Sequence, residues 1–151
     1  MKIIRNLCIV LVLSLASCGL GPDYNLSVNP PGQNDTPEQI FPAEINGDEA
    51  KVNQLESGGL EYTYGSDKSI TVARLTSEDE AIAFFKQNVL PNYQKQNNNF
   101  SGTINGQFYA KAGGNWKMFG WVNGNFAFSI KASDQEKLDD IIDTFKYIEH
   151  Q

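Results

Sequence analysis

The residues that most often carry chemistry are scarce in this chain. It has one histidine, His150, beside the C-terminus, and two cysteines, Cys8 and Cys18. A general base must be held in a fixed geometry by its neighbours, and a zinc ion needs several Cys, His or carboxylate ligands. A single histidine at a chain end suits neither role. We therefore expect no metal site and no cofactor.

Carboxylates cluster at residues 78–80 and again at Asp139, Asp140 and Asp143. The first cluster opens a predicted helix, where negative charge suits the helix dipole, and the second is offset from the apolar stripe of another helix. We interpret both as solvated surfaces. The chain also has no nucleophile elbow and no phosphate-binding loop. We predict no catalytic residue, although two carboxylates that meet only in the folded chain would revive a hydrolase.

Aromatic and sulfur-containing side chains give the best candidate for a binding surface. Trp116 and Met118 fall on the predicted outer face of a strand, and Tyr109 joins them if its hairpin is in register. Trp, Tyr and Met are enriched at the centres of protein interfaces. We hypothesise a binding patch formed by Trp116, Met118 and Tyr109. The alternative is that another segment, such as residues 43–59, covers this face.

The N-terminal segment has the anatomy of a secretory signal. Lys2 and Arg5 are followed by an apolar run over residues 7–13, then by small residues. The run is too short to cross a hydrocarbon core, which takes about 20 residues. A short core helix is the alternative, but the charge order favours export.

Leu15-Ala16-Ser17-Cys18 resembles the bacterial lipobox. The resemblance implies cleavage before Cys18 and a lipid thioether on its sulfur, and two or three acyl chains anchor a protein stably. The predicted division is a signal peptide over residues 1–17, a lipidated Cys18 with a flexible tether to residue 39, and one domain over residues 40–151. Gly19 follows the cysteine in place of the Asp that resembles an inner-membrane retention signal, which favours the outer membrane if the host has one. A secreted protein with a free Cys18 thiol is the alternative.

Charge excludes one class of partner. The chain has 12 basic and 18 acidic residues for a net charge of −6, and removing Lys2 and Arg5 with the leader gives 10 − 18 = −8. A negative domain is repelled by nucleic acid phosphates, so we expect no nucleic-acid partner. Only Cys18 remains after cleavage, so the domain has no internal disulfide and depends on its hydrophobic core.

Two helices are predicted from their caps. Ser77 and Glu80 form a capping box before an apolar stripe, and Pro91 is expected to end that helix near Leu90. Ser133 and Glu136 form a second box. The stripe that follows it is amphipathic: Leu138, Ile141, Ile142, Phe145 and Ile148.

Strands fill the rest of the domain. Residues 60–64 and 69–75 form one predicted pair, residues 43–59 are predicted to be mostly loop, and Asn105-Gly106 and Asn123-Gly124 mark two hairpins. The second turn sets Trp121 opposite Phe126. One face then carries Phe119, Trp121, Phe126, Phe128 and Ile130, and the other carries Trp116, Met118, Gly120, Ala127, Ser129 and Lys131.

The predicted fold class is α+β, in the order β-β-α-β-β-β-β-α. We expect a single antiparallel sheet of about six strands with both helices packed on the aromatic face. The pattern also resembles families of uncharacterised envelope lipoproteins, through Phe41-Pro42, the Tyr-rich strands over residues 62–72, the helix over residues 81–85 and the hairpin over residues 116–128. That resemblance implies no activity.

The sequence therefore predicts a membrane-anchored, extracytoplasmic lipoprotein that is not an enzyme. Our first hypothesis is an accessory domain that binds another envelope protein, with the membrane contacted through the lipid on Cys18. The second is a small-ligand or lipid-binding module with a cavity between sheet and helices. An apolar internal pocket would favour the second hypothesis, and an exposed aromatic patch would favour the first.

Overall fold

The computed structural model describes residues 24–151, so the predicted signal peptide, the lipobox and Cys18 lie outside the described residues. The strands are β1 (Tyr24–Asn25), β2 (Glu44–Ile45), β3 (Asp48–Gln54), β4 (Leu60–Tyr64), β5 (Lys68–Arg74), β6 (Phe100–Ile104), β7 (Gln107–Gly113), β8 (Lys117–Asn123), β9 (Phe126–Ala132) and β10 (Glu149–His150). The helices are α1 (Pro37–Ile40), α2 (Glu78–Phe84), α3 (Leu90–Gln94) and α4 (Gln135–Thr144), and a π-helical turn (Phe85–Val89) joins α2 to α3.

The α+β class is confirmed, but the main sheet has eight strands rather than about six. Its order is β2-β3-β4-β5-β9-β8-β7-β6, and every neighbouring pair is antiparallel. The additional strands, β2 and β3, lie in the stretch that we predicted as loop. Their turn is Asn46-Gly47, with φ of 50° and 81°. Because β3 is polar and largely exposed, no apolar alternation marked it.

The aromatic face of the sheet is buried as predicted. Phe119, Trp121 and Phe128 have at most 1% of their surface exposed, and α4 covers them. The covering side chains are Leu138, Ile141 and Ile142. This face holds the larger of the two clusters of buried residues, so it supplies most of the apolar burial that stabilises the fold.

The prediction that both helices share this face is wrong. Ala81, Phe85 and Tyr93 of the segment Glu78–Gln94 pack on the opposite face, against Met118, Val122 and Ala127. Small residues on that face allow the close approach. A Cβ added to Gly120 would lie 2.7 Å from the Tyr93 hydroxyl oxygen and 2.9 Å from the Phe85 ring. The alternative that another segment covers this face is therefore correct, but the covering segment is the first helix and not residues 43–59.

The first helical segment begins as predicted and ends later. The Ser77 hydroxyl accepts from the Glu80 backbone N–H at 3.2 Å, but the Glu80 carboxylate reaches one residue further, to the Thr76 N–H and hydroxyl. Pro91 does not stop the helix. The π-helical turn shifts the hydrogen bonding so that Leu90 N–H donates to Phe85, and Pro91 occupies the first turn of α3, where a missing N–H costs little.

The second helix is capped by Asp134 rather than Ser133. The Asp134 side chain accepts from the Lys137 backbone N–H at 3.0 Å. The helix ends at Thr144, where Phe145 leaves the helical region with φ −91° and ψ 102°. Phe145 and Ile148 are nevertheless each 1% exposed. The apolar stripe thus predicted the buried residues correctly but extended the helix too far.

Both Asn-Gly hairpins are present. Asn105 and Gly106 have φ of 50° and 82°, and the turn closes between Ile104 and Gln107. The second turn is displaced by one residue: Asn123 pairs with Phe126, so Gly124 and Asn125 form the loop and Trp121 faces Phe128. The register differs by two residues from our prediction, and an even shift keeps every side chain on its predicted face.

The predicted tether is structured from residue 24 onward, and the domain therefore starts before residue 40. Tyr24 and Leu26 are 6% and 3% exposed, and β1 pairs with β10. The Asn123 amide donates to the Val28 carbonyl at 2.6 Å, and Arg74 donates to the Asp35 carbonyl at 2.8 Å. Tyr24 and Leu26 are isolated apolar residues among polar ones. They form no periodic pattern, and the sequence therefore predicts a tether here. Residues 19–23 of the predicted tether lie outside the described residues.

Candidate functional site

The binding patch that we predicted does not form. Tyr109 pairs with Trp121 and lies on the aromatic face, where it is 2% exposed, whereas Met118 lies on the opposite face and is 8% exposed. Only Trp116 is half-exposed. The helical segment Glu78–Gln94, not residues 43–59, covers the Met118 side of the sheet.

That segment covers only part of the face and leaves a groove beside it. The helix sits over β7, β8 and β9, and the groove of about 390 Å³ opens between its exposed flank and strands β4, β5 and β9. It is lined by Leu55, Ser57, Glu61, Ser69, Thr71, Phe84, Asn88, Val89, Asn92, Tyr93, Lys95, Gln96, Met118, Ser129 and Lys131. We call this the helix–sheet groove.

The floor of the helix–sheet groove is built by strand register. Glu61 pairs with Thr71, which pairs with Ser129 of β9. One step along the same face, Ser69 pairs with Lys131. Because alternate strand residues share a face, these hydroxyl and charged groups form one surface, continuous across three strands.

Tyr93 closes the inner edge of the floor. It is fully buried, and its hydroxyl lies 2.8 Å from the hydroxyl of Ser129. Burial raises the pKa of Tyr93, so the phenol stays protonated at neutral pH. A protonated phenol held by a serine positions the helix over the sheet and offers no base to a substrate.

Lys131 lines the groove, and Trp116 lies beside Lys131 outside the groove. The Lys131 ammonium sits over the indole ring, 4.1 Å from its centroid, a cation–π contact. A second depression of about 250 Å³ shares Glu61, Ser69 and Lys131 with the helix–sheet groove and is bordered by Trp116. The two depressions together follow the sheet from the helix to the indole.

The wall of the groove combines apolar and amide side chains. Phe84 and Val89 are partly exposed on the helical side, with Leu55 opposite. Asn88 and Asn92 are one helical turn apart, and the Asn88 amide donates to the Phe84 carbonyl at 3.1 Å. Asn92 is exposed. The groove therefore presents hydroxyls below, an amide at the side and hydrophobic contacts near its rim.

The catalytic alternative gains no geometric support. Glu61 is the one carboxylate lining the groove, and no group of three or more His, Cys, Asp or Glu side chains that could hold a metal exists within residues 24–151. His150 lies elsewhere, 3.2 Å from Asp143 and edge-on to Tyr24.

Sequence reasoning missed the groove because it depends on where the first helix lies. A partial signal existed: the odd positions 61, 63, 69 and 71 of two predicted strands are all polar, which marks one face as uncovered. Nothing in the sequence indicated that a helix would border that face.

Comparison with known proteins adds no relative: no protein-family model, curated protein or solved structure matches this chain. Within residues 24–151, none of the helices has the length and hydrophobicity needed to span a bilayer.

Proposed function

We propose that this chain is a lipoprotein of the bacterial cell envelope, anchored through Cys18, whose domain binds an envelope protein and catalyses no reaction. The helix–sheet groove is the binding site. It is an open depression of about 390 Å³, and the polar and apolar side chains that line it suit an extended segment of polypeptide. This match is the observation that carries the proposal.

Each part of a peptide finds a counterpart in the groove. The hydroxyls of Ser69, Thr71 and Ser129 and the amide of Asn92 can bond backbone N–H and C=O groups. Apolar side chains of the ligand can rest on Phe84, Val89 and Leu55. Lys131 and Glu61, at different points of the floor, favour a ligand that carries both charges.

The remaining surface supports a groove rather than a flat interface. Val52, 57% exposed, is the one large hydrophobic residue that stands out from the described surface. Stable flat interfaces have an apolar, often aromatic core, and an isolated valine does not make one. A partner that inserts a segment needs no such core.

The second candidate is a small polar ligand. The volume of about 390 Å³ falls in the usual range for small-molecule sites, roughly 300–1,000 Å³. The open mouth and the hydroxyl floor favour the peptide, because small-ligand sites are mostly apolar and enclose their ligand. The lipid-binding version needs an apolar cavity and is the weakest of the three.

Anchoring would place the domain close to the bilayer. Tyr24, where β1 begins, follows Cys18 by six residues, and six residues reach at most about 20–22 Å in any conformation. The groove lies on the face of the sheet opposite to β1, so the anchored domain presents it away from the entry point of the tether.

The anchor is tested by fractionating cells that produce the Cys18→Ser variant beside the unchanged chain. We expect the variant to leave the membrane fraction while keeping its circular dichroism spectrum, because Cys18 precedes the folded domain. A variant that still sediments with membranes would overturn the anchor.

A further inference from the structure

Among residues 24–151, no strand pairs with the outer side of β6, and this open edge of the main sheet differs from the other edge. No charged residue occurs between Gln96 and Ala110, and β6 itself reads Phe-Ser-Gly-Thr-Ile. Proteins usually protect an edge strand with lysine, proline, a bulge or shortness, because its unpaired backbone groups recruit other strands. The opposite edge is protected: β2 has only two residues, and β3 carries Asp48, Glu49 and Lys51.

The hairpin geometry shows which backbone groups of β6 point outward. Its two-residue turn closes with Ile104 opposite Gln107, and such a closing pair exchanges both hydrogen bonds. Alternation then directs the backbone of Phe100, Gly102 and Ile104 toward β7. The N–H and C=O groups of Ser101 and Thr103 are directed to the open edge, and both residues are exposed.

The sequence of β6 is complementary to itself. In an antiparallel pair centred on Gly102, Ser101 lies opposite Thr103 of a second copy, and Phe100 lies opposite Ile104. Polar residues face polar ones, and apolar residues face apolar ones. The outward groups of Ser101 and Thr103 also fall at the positions where an antiparallel pair exchanges hydrogen bonds. One register of the two β6 strands therefore satisfies both the side-chain pairing and the backbone hydrogen bonds.

From this geometry we infer that two copies of the chain pair through β6, which joins their sheets across a two-fold axis. Phe100 and Ile104, partly buried beside the aromatic core, would gain cover from the second copy. The neutral edge is also where two chains of net negative charge repel each other least. The helix–sheet groove lies over β4, β5 and β9, so pairing leaves it open.

The expected dimer is weak in free solution. Five residues at about 3.4 Å each give a contact about 17 Å long, which buries less than the roughly 1,200–2,000 Å² of a stable interface. Anchoring both copies in one membrane would raise their effective concentration and populate the dimer. This last step rests on the proposed anchor, whereas the pairing itself does not.

The test uses disulfide trapping between two differently tagged full-length copies in the cell envelope, one Ser101→Cys and the other Thr103→Cys. We expect a mixed covalent dimer well above that of the unchanged chain, which shows the background from Cys8 and Cys18. Two Ser101→Cys copies should link much less, because diagonal neighbours lie about 7–8 Å apart and a disulfide needs less. Equal linking by a matched Ser57→Cys pair, which is exposed but remote, would overturn the proposal.

A second variant keeps the proposal falsifiable if the cysteines perturb β6. Thr103→Pro removes an N–H that points outward, so the hairpin with β7 should survive. At high protein concentration, sedimentation velocity should show dimer for the Cys18→Ser chain and only monomer after Thr103→Pro is added. Monomer in both, with no trapping in the envelope, would refute the pairing independently of the anchor and of the groove.

Discussion

The hydroxyl of Tyr93 lies 2.8 Å from that of Ser129, and this hydrogen bond ties the helical segment to the strand beneath the groove. Tyr93→Phe removes the bond while keeping the ring. We expect the free energy of unfolding to fall by about 0.5–1.5 kcal/mol, the usual net value of such a bond. Urea titrations of Tyr93→Phe, Ser129→Ala and the double variant measure it, and purely additive losses would mean that the two hydroxyls do not interact.

Gly120 sets how closely the helix approaches the sheet. A Cβ at this position would lie 2.7 Å from the Tyr93 hydroxyl oxygen, so Gly120→Ala should lower stability by about 1–3 kcal/mol, as overpacking does. The matched control is Gly113→Ala, whose added methyl meets only the Lys117 ammonium at 3.7 Å. Thermal unfolding should separate the two variants, and equal midpoints would show that the helix is not seated on Gly120.

The segment from Tyr24 to α1, predicted from the sequence as a tether, packs as part of the domain. Leu26 is 3% exposed in the main cluster, so Leu26→Ala should cost about 2–5 kcal/mol, whereas Ser27→Ala at its exposed neighbour should change little. Hydrogen exchange read by mass spectrometry adds a second check. Rapid exchange of the β1 amides, with an unaltered Leu26→Ala stability, would restore the tether interpretation.

Acid should weaken the contact between the turn before β5 and α4. The Lys137 ammonium lies 2.8 Å from the Asp67 carboxylate and holds the pKa of Asp67 below its ordinary value, and the Lys137 backbone N–H does the same for Asp134. A depressed folded-state pKa adds stability above the unfolded value, near 4, that is lost as the pH falls through the folded value.

Lys137→Met tests this dependence. The pKa of Lys137 is raised by the same partners, so its own contribution is complete below about pH 10 and is lost only above its folded value. We expect the unfolding free energy of the variant to fall less than that of the unchanged chain as the pH is lowered below about 4. A pH profile parallel to that of the unchanged chain would show that the contact contributes no pH-dependent stability.

The sequence was informative where one local pattern determines the structure. The aromatic alternation around Trp121 and Phe128 predicted the buried face, and the stripe from Leu138 to Phe145 predicted its cover. These signals are local because burial of alternate or helically spaced residues leaves a period in the chain.

Features that depend on distant contacts were missed. The position of the first helix depends on Gly120 and Ala127. Small residues of this kind occur on sheet faces that a helix covers and on exposed faces alike, so they do not reveal which is present. Leu26 is held by Gln107 and Asn123, whose side-chain amides donate to its carbonyl from 81 and 97 residues further along the chain. The groove also depends on distant contacts, because it is the part of a polar sheet face that the first helix leaves uncovered.

The central claim is that the helix–sheet groove binds a segment of an envelope protein. We would place a photoreactive amino acid at Asn92, in the groove, or at Gln87, exposed but outside it, and irradiate cells that carry the full-length chain. The account predicts one discrete protein adduct from position 92, none from position 87, and loss of the adduct when Thr71→Trp fills the groove without changing the circular dichroism spectrum. No adduct from position 92, or an adduct that persists with Thr71→Trp, would contradict it.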